Sequence, residues 1–304
     1  MAIIKKSSRP ALLYSAPTTS VFFRPRRVVY VAARMPKISV VISLSSLERC
    51  FLQPILRECA QFAAQIVISV GTHLHDGKTQ EPEDFLREVL LAAGFYSPPP
   101  SAFVKVCQYQ VAPQISLNPL RQRPGAFWHN ISRINGLQGL DAGTEWVLFL
   151  DADEIPDGAR MRHWATVASI DEGAAYKFGC HWYYRSPCYQ ATSLEDSPVL
   201  VHHRHLSPEA LMVDNERDGT LGYCGLRVVR MVGSIEDPPQ PMFHHFSFVR
   251  PLPQLLEKVK VWGHAKDEAW TQMIEESFAR PFDGTDPVHG YEYTEVPNRF
   301  GIVV

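Results

Sequence analysis

Short apolar runs alternate along the chain with stretches whose apolar positions recur at helical spacing. Ile38-Ser39-Val40-Val41-Ile42-Ser43 is β-branched and predicts a buried strand. From Leu47 to Gln61 the positions Phe51, Leu52, Ile55, Leu56 and Cys59 fall on one helical face, and Ile66 to Val70 is a second buried strand ending at Gly71. Strand, helix and strand in close succession make a βαβ unit, which requires a parallel sheet. Asp84 to Ala93 predicts a helix stopped by Gly94, and Ala102 to Tyr109 a third strand. A Pro-punctuated loop from Pro113 to Pro124 precedes a helix from His129 to Leu140, with Ile131, Ile134, Leu137 and Leu140 on one side. Its two glycines each cost about 1 kcal/mol relative to Ala, so their presence predicts a packing reason. Trp146-Val147-Leu148-Phe149-Leu150 is apolar on both faces, as a central parallel strand must be, and runs directly into Asp151-Ala152-Asp153-Glu154.

Beyond this point the character changes. Ala174 to Tyr184 predicts an aromatic-rich strand, Val199 to Val201 and Leu226 to Val232 shorter ones, and Pro253 to Trp262 and Glu268 to Phe278 two amphipathic helices. The pattern gives an α/β half over residues 35–155 and a mixed half over 156–304, fused into one domain.

Charge divides the chain differently. The formal net charge is −2, from 30 basic and 32 acidic side chains, yet residues 1–34 carry seven basic groups and no acid. The remainder holds 23 basic (30 less 7) against 32 acidic groups, a net −9. The first 34 residues read as a basic, disordered or targeting-like extension with no folded role, so their removal is expected to leave folding and activity intact. The acidic body argues against a nucleic-acid partner. No apolar run approaches the roughly 18–20 residues of a membrane-spanning helix. Six scattered cysteines without a C-x-x-C pair argue against a zinc finger or a dense disulfide scaffold and fit a soluble intracellular protein with reduced thiols.

Candidate chemistry lies at Asp151-Ala152-Asp153. Ligands of open α/β sheets bind beyond the carboxyl ends of the strands. Alternation points both carboxylates to one side, where they repel unless a cation or proton relieves them. A hard divalent ion, Mg2+ or Mn2+, fits such a pair and keeps positions open for phosphate oxygens. The competing structural reading has Asp153, Glu154 and Asp157 capping a helix after Pro156.

These residues resemble the D-x-D strand end of GT-A fold glycosyltransferases, most like the family 2 type. The opening strand Pro36 to Ser43 resembles that family's first nucleotide-binding strand, and Arg133-Ile134-Asn135-Gly136 its Arg-Asn-x-Gly helix, with Ile134 interposed. The resemblance covers residues 36–160 well. It implies a GT-A-like, mixed and mainly parallel sheet flanked by helices, with a C-terminal helical extension. It implies transfer of a hexosyl group, with inversion, from a nucleotide-diphosphate sugar to the hydroxyl of a carbohydrate or glycoconjugate. Ser43, Arg133, Asn135, Asp151 and Asp153 would contact the donor, and Asp151 and Asp153 would hold the metal. The family's base-contacting acid has no clear counterpart, since Val70-Gly71-Thr72-His73 stands in its place with Asp76 further on.

A histidine late in the GT-A domain often completes the metal shell, and His245 takes that place, with His244 and His264 as alternatives. His203 and His205 would share a face on a strand, but no thiol or acid set accompanies them. An inverting transfer needs a carboxylate base; Asp214, Glu216, Asp218, Glu236 and Asp237 are the candidates. Trp182 and Tyr184, on one face by alternation, could stack against an acceptor sugar, and Arg123 and Trp128 could flank the donor. Rival functions are a His- and Asp-rich metallohydrolase, a sugar-1-phosphate nucleotidyltransferase, whose Gly-rich loop after the first strand is missing, and a non-catalytic carbohydrate- or nucleotide-binding module.

Overall fold

The computed structural model describes residues 35–96, 103–111, 124–213, 216–262 and 269–304. The first half runs β1 (Ile38–Leu44), a 3₁₀ turn (Ser46–Phe51), α1 (Leu52–Cys59), β2 (Gln65–Gly71), α2 (Phe85–Tyr96), β3 (Val104–Tyr109), α3 (Pro124–Gln138) and β4 (Trp146–Asp151). The second half runs β5 (Glu154–Pro156), α4 (Gly158–Val167), β6 (Ala174–Tyr184), β7 (Tyr189–His202), α5 (Pro208–Leu211) and α6 (Glu216–Cys224). It continues with β8 (Arg227–Val232), β9 (Phe243–Phe248), α7 (Leu252–Val261), α8 (Trp270–Phe278) and β10 (Tyr293–Glu295).

All ten strands join one sheet in the order β3-β2-β1-β4-β7-β6-β9-β5, with β10 beside β7 and β8 beside β6. β1, β2, β3 and β4 are mutually parallel, while β7 enters antiparallel to both β4 and β6. The sheet is mixed and mainly parallel and is flanked by helices, as expected, with α7 and α8 as the C-terminal helical extension.

Alternation explains how both faces are covered. Ile38, Val40, Ile42, Ile66, Ile68, Leu148 and Leu150 enter the larger core with α1 and α2, whereas Val41, Val67, Val147 and Phe149 meet Ile134, Leu137 and Leu140 on the α3 side. The glycines of this region let α3 approach the sheet. A Cβ at Gly136 would run into Val41, and one at Gly139 would lie 2.6 Å from Cys107 Sγ.

Several sequence expectations need correction. Gly94 does not stop α2, which continues to Tyr96 with open space around Gly94. α3 begins at Pro124, ahead of His129, and the helix after β1 opens with a 3₁₀ turn. His203–His205 is a 3₁₀ turn, not a strand, with His205 and Arg204 bonded to Glu172. The loop over 113–123 and the start of the last helix at Glu268 lie outside the described residues. No helix among the described residues is long and apolar enough to cross a membrane, and all six cysteines are free thiols.

Candidate active site

Strand pairing assembles the site. Ser43 and Asp151 are register partners at the carboxyl ends of β1 and β4. β5 pairs Glu154 with His245, and β6 pairs Trp182 with the same His245. Side chains from these ends line a cavity of about 250 Å³ that includes Ser43, Asp151, Asp153, Trp182 and His245. α3 contributes His129, α6 Arg217 and α7 Lys258 to its walls.

The acids of the Asp151–Glu154 run are held by cations, with Arg217 shared between Asp151 and Glu154. Asp151 Oδ1 accepts from His129 Nε2 at 2.8 Å and Arg133 at 3.4 Å, and its Oδ2 from Arg217 at 2.9 Å. Asp153 Oδ2 accepts from Arg250 at 2.9 Å and Lys258 at 2.6 Å, while its Oδ1 lies 3.5 Å from His245 Nε2. Arg217 also bonds both Glu154 oxygens at 3.0 Å, and Glu154 receives the Asp151 backbone N–H at 2.8 Å. Burial acts to raise both aspartates. It is overridden by His129, Arg217 and Arg133 at Asp151, and by Lys258, His245 and Arg250 at Asp153, so both carboxyls stay well below the usual range.

Asp157 is the helix cap of the rival reading. It accepts from Arg160 N at the start of α4, while Asp151 and Asp153 face the cavity.

His244 and His245 point opposite ways, as strand alternation requires. His245 faces the cavity, packed on Trp182 with ring centroids 4.1 Å apart. His244 turns into the protein, where its Nδ1 meets Tyr183 Oη at 2.9 Å and burial lowers its pKa. His264 lies outside the described residues.

Among the described residues, the buried Ser43 Oγ and His245 Nδ1 at the cavity have no hydrogen-bond partner. On another wall His75 stacks against His129 at 5.0 Å, and burial, then the neighbouring His129, pushes His75 down to about 3.

The other sequence candidates fall elsewhere. Arg133 is buried behind Asp151, and Asn135 bonds Ser69 Oγ and Cys107 O, tying α3 to the sheet. Tyr184 is a core residue: a β-bulge intervenes between it and Trp182, and its hydroxyl pairs with Ser277. Trp182 does line the cavity, its Nε1 fixed on Glu195 at 2.8 Å. Trp128 is buried with Phe127, Tyr109 and Val111.

Among the base candidates, Asp218 pairs with Lys177 and Arg230, and Glu236 and Asp237 sit in an exposed loop, so none of the three lines the cavity. Asp214, Arg123 and the side chain of Glu216 lie outside the described residues.

Sequence reasoning missed His129, Arg217, Lys258 and Arg250. His129 was legible, since it precedes Arg133 by one helical turn. Arg217 was not, because nothing in its polar segment marks it.

No protein-family model matches the chain, and no curated protein matches it. Solved structures do. One is 4-diphosphocytidyl-2C-methyl-D-erythritol synthase from Anaerococcus prevotii, 11% identical over 64% of this chain and 89% of that one, at a TM-score of 0.37. A second is glucosyl-3-phosphoglycerate synthase from Mycobacterium tuberculosis with Mn2+, uridine diphosphate and glucosyl-3-phosphoglycerate, 14% identical over 86% and 88%, at 0.37. A third is GalNAc-T7 with UDP, GalNAc and Mn2+, 14% identical over 82% of this chain, at 0.44; this chain spans about half of it, 52%. At these identities the likeness concerns the fold alone.

Proposed function

We propose that this chain is a glycosyltransferase that takes a hexosyl group from a nucleotide-diphosphate sugar, with inversion, and delivers it to the hydroxyl of a carbohydrate or glycoconjugate. The observation that carries the reading is the cavity at the ends of β1 and β4, where Asp153 faces His245 beside the unpartnered Ser43 Oγ.

The described residues hold no cluster of three His, Cys, Asp or Glu fit for a metal. A cation that bridges to a diphosphate needs fewer protein ligands, because substrate oxygens supply the rest. Asp153 Oδ1 and His245, 3.5 Å apart, suit Mn2+ or Mg2+ in that manner. Asp151 takes a different part, since both its oxygens are engaged by His129, Arg133 and Arg217. When bound, the cation would offset charge on the departing nucleoside diphosphate.

The chain's own groups do the rest. Ser43 Oγ offers the donor a hydrogen bond, and the fixed Trp182 ring presents an apolar face to the acceptor sugar. Asp218, Glu236 and Asp237 do not line the cavity, which leaves Asp214 and Glu216 of the sequence candidates for the base.

The test is release of nucleoside diphosphate from a panel of nucleotide sugars with Mn2+ or Mg2+. One donor should be turned over, with loss in Asp153→Asn. No turnover of any donor refutes the function, and full turnover by Asp153→Asn refutes the site.

A further inference from the structure

Charge around Asp153 is balanced before any ligand arrives. Two carboxylates, Asp153 and Glu48, face two permanent cations, Arg250 and Lys258. The two cations are not equivalent. Arg250 is buried in full, and its other donors go to the backbone oxygens of Leu47, Phe246 and Ser247, so it is built into the fold. Lys258 lines the cavity from α7, with its ammonium 2.6 Å from Asp153 Oδ2 and 2.9 Å from Ser247 Oγ.

A divalent cation at Asp153 Oδ1 would share its carboxylate with that ammonium. Like charges at such range in a partly desolvated site repel strongly. A diphosphate entering the same cavity brings negative charge that both cations can face.

We propose that Lys258 makes divalent-cation binding conditional on the donor diphosphate: it opposes the metal in the empty site and joins it on the phosphates when the donor is present. This rests on the donor and metal reading above. Linkage requires the coupling to be reciprocal, so the metal tightens the nucleotide by the same factor as the nucleotide tightens the metal.

The experiment measures Mn2+ binding to the full chain by the electron paramagnetic resonance of free Mn2+, alone and with UDP, GDP, CDP, ADP or TDP. The native protein should bind Mn2+ at least about tenfold more tightly with the matching nucleotide. Lys258→Gln should bind Mn2+ alone at least about tenfold more tightly than the native chain, with the nucleotide effect reduced correspondingly. Lys258→Arg, which keeps the charge, should behave as native. Arg250 still holds Asp153 in these variants, and a denaturation midpoint checks that they fold.

Equal Mn2+ affinity with and without a nucleotide that binds overturns the proposal. So does a Lys258→Gln protein, folded by that check, that binds Mn2+ alone no better than native. If none of the five nucleotides binds, the donor reading falls, and the Mn2+-only comparison still decides the role of Lys258. If a nucleotide binds while neither protein takes up Mn2+, the Lys258 proposal falls and the donor reading stands.

Discussion

Arg217→Met is expected to be among the most destabilising single changes at the site. The native guanidinium sits between Glu154, 1% exposed, and Asp151, with hydrogen bonds of 2.8–3.0 Å to Glu154, Ser197 O and Asp151. Its removal strands the Glu154 charge in the interior. Losing one partner of a buried ion pair costs about 3–5 kcal/mol, chiefly through the uncompensated charge left behind. That corresponds to a fall in Tm of about 10 °C for a domain of this size.

Urea denaturation of the full chain, followed by tryptophan fluorescence, reads the loss. The second half of the test is a cycle with Glu154→Gln. In the native background this substitution should destabilise, because Arg217 loses a carboxylate. In the Arg217→Met background it should recover about 1–2 kcal/mol, because the stranded charge is gone. A loss below about 1 kcal/mol for Arg217→Met, or additive losses in the double variant, would refute the idea that Arg217 neutralises Glu154.

Other consequences are equally open to measurement. Glu81 is buried with both oxygens accepting from Ser46 N at 3.2 and 3.3 Å, and burial raises its carboxyl from 4.5 to about 7. A raised folded-state value contributes stability that is present below pH 4.5 and lost as pH rises through about 7. Relative to Glu81→Gln, the native protein should therefore lose up to about 3 kcal/mol between pH 4.5 and 8, and a flat difference would contradict this. Gly136→Ala should destabilise by about 1–2 kcal/mol despite the better helix propensity of Ala, because its Cβ meets Val41. Gly94→Ala, where a Cβ meets nothing, should instead stabilise by up to about 1 kcal/mol, and denaturation midpoints compare the two.

Much of the parallel half was legible because each element there buries apolar residues at a fixed period. Ile38 to Ser43, Ile66 to Val70 and Trp146 to Leu150 all became strands, and the unexpected Gly136 and Gly139 proved to be contact points with the sheet. Gly94 misled because a glycine can sit inside an exposed helix turn at modest cost. The first part of β7, Tyr189 to Pro198, was missed because its polar residues lack the alternation of a half-buried strand. At the site, the carboxylates announced themselves by following an apolar strand. Their partners did not, because Arg217, Arg250 and Lys258 reach them from segments more than 60 residues away in sequence. Among the described residues, Asp151, Asp153, Glu48 and Glu154 face Arg133, Arg217, Arg250 and Lys258, four acids against four permanent cations.

The most direct test of the account is anomalous diffraction at the manganese edge from crystals grown with Mn2+ and the nucleoside diphosphate that binds. One strong peak is expected in coordinating contact with Asp153 and His245, and with the diphosphate, while Asp151 keeps Arg217 and His129. A peak ligated by Asp151 with Arg217 displaced, or no peak at this cavity, would contradict it.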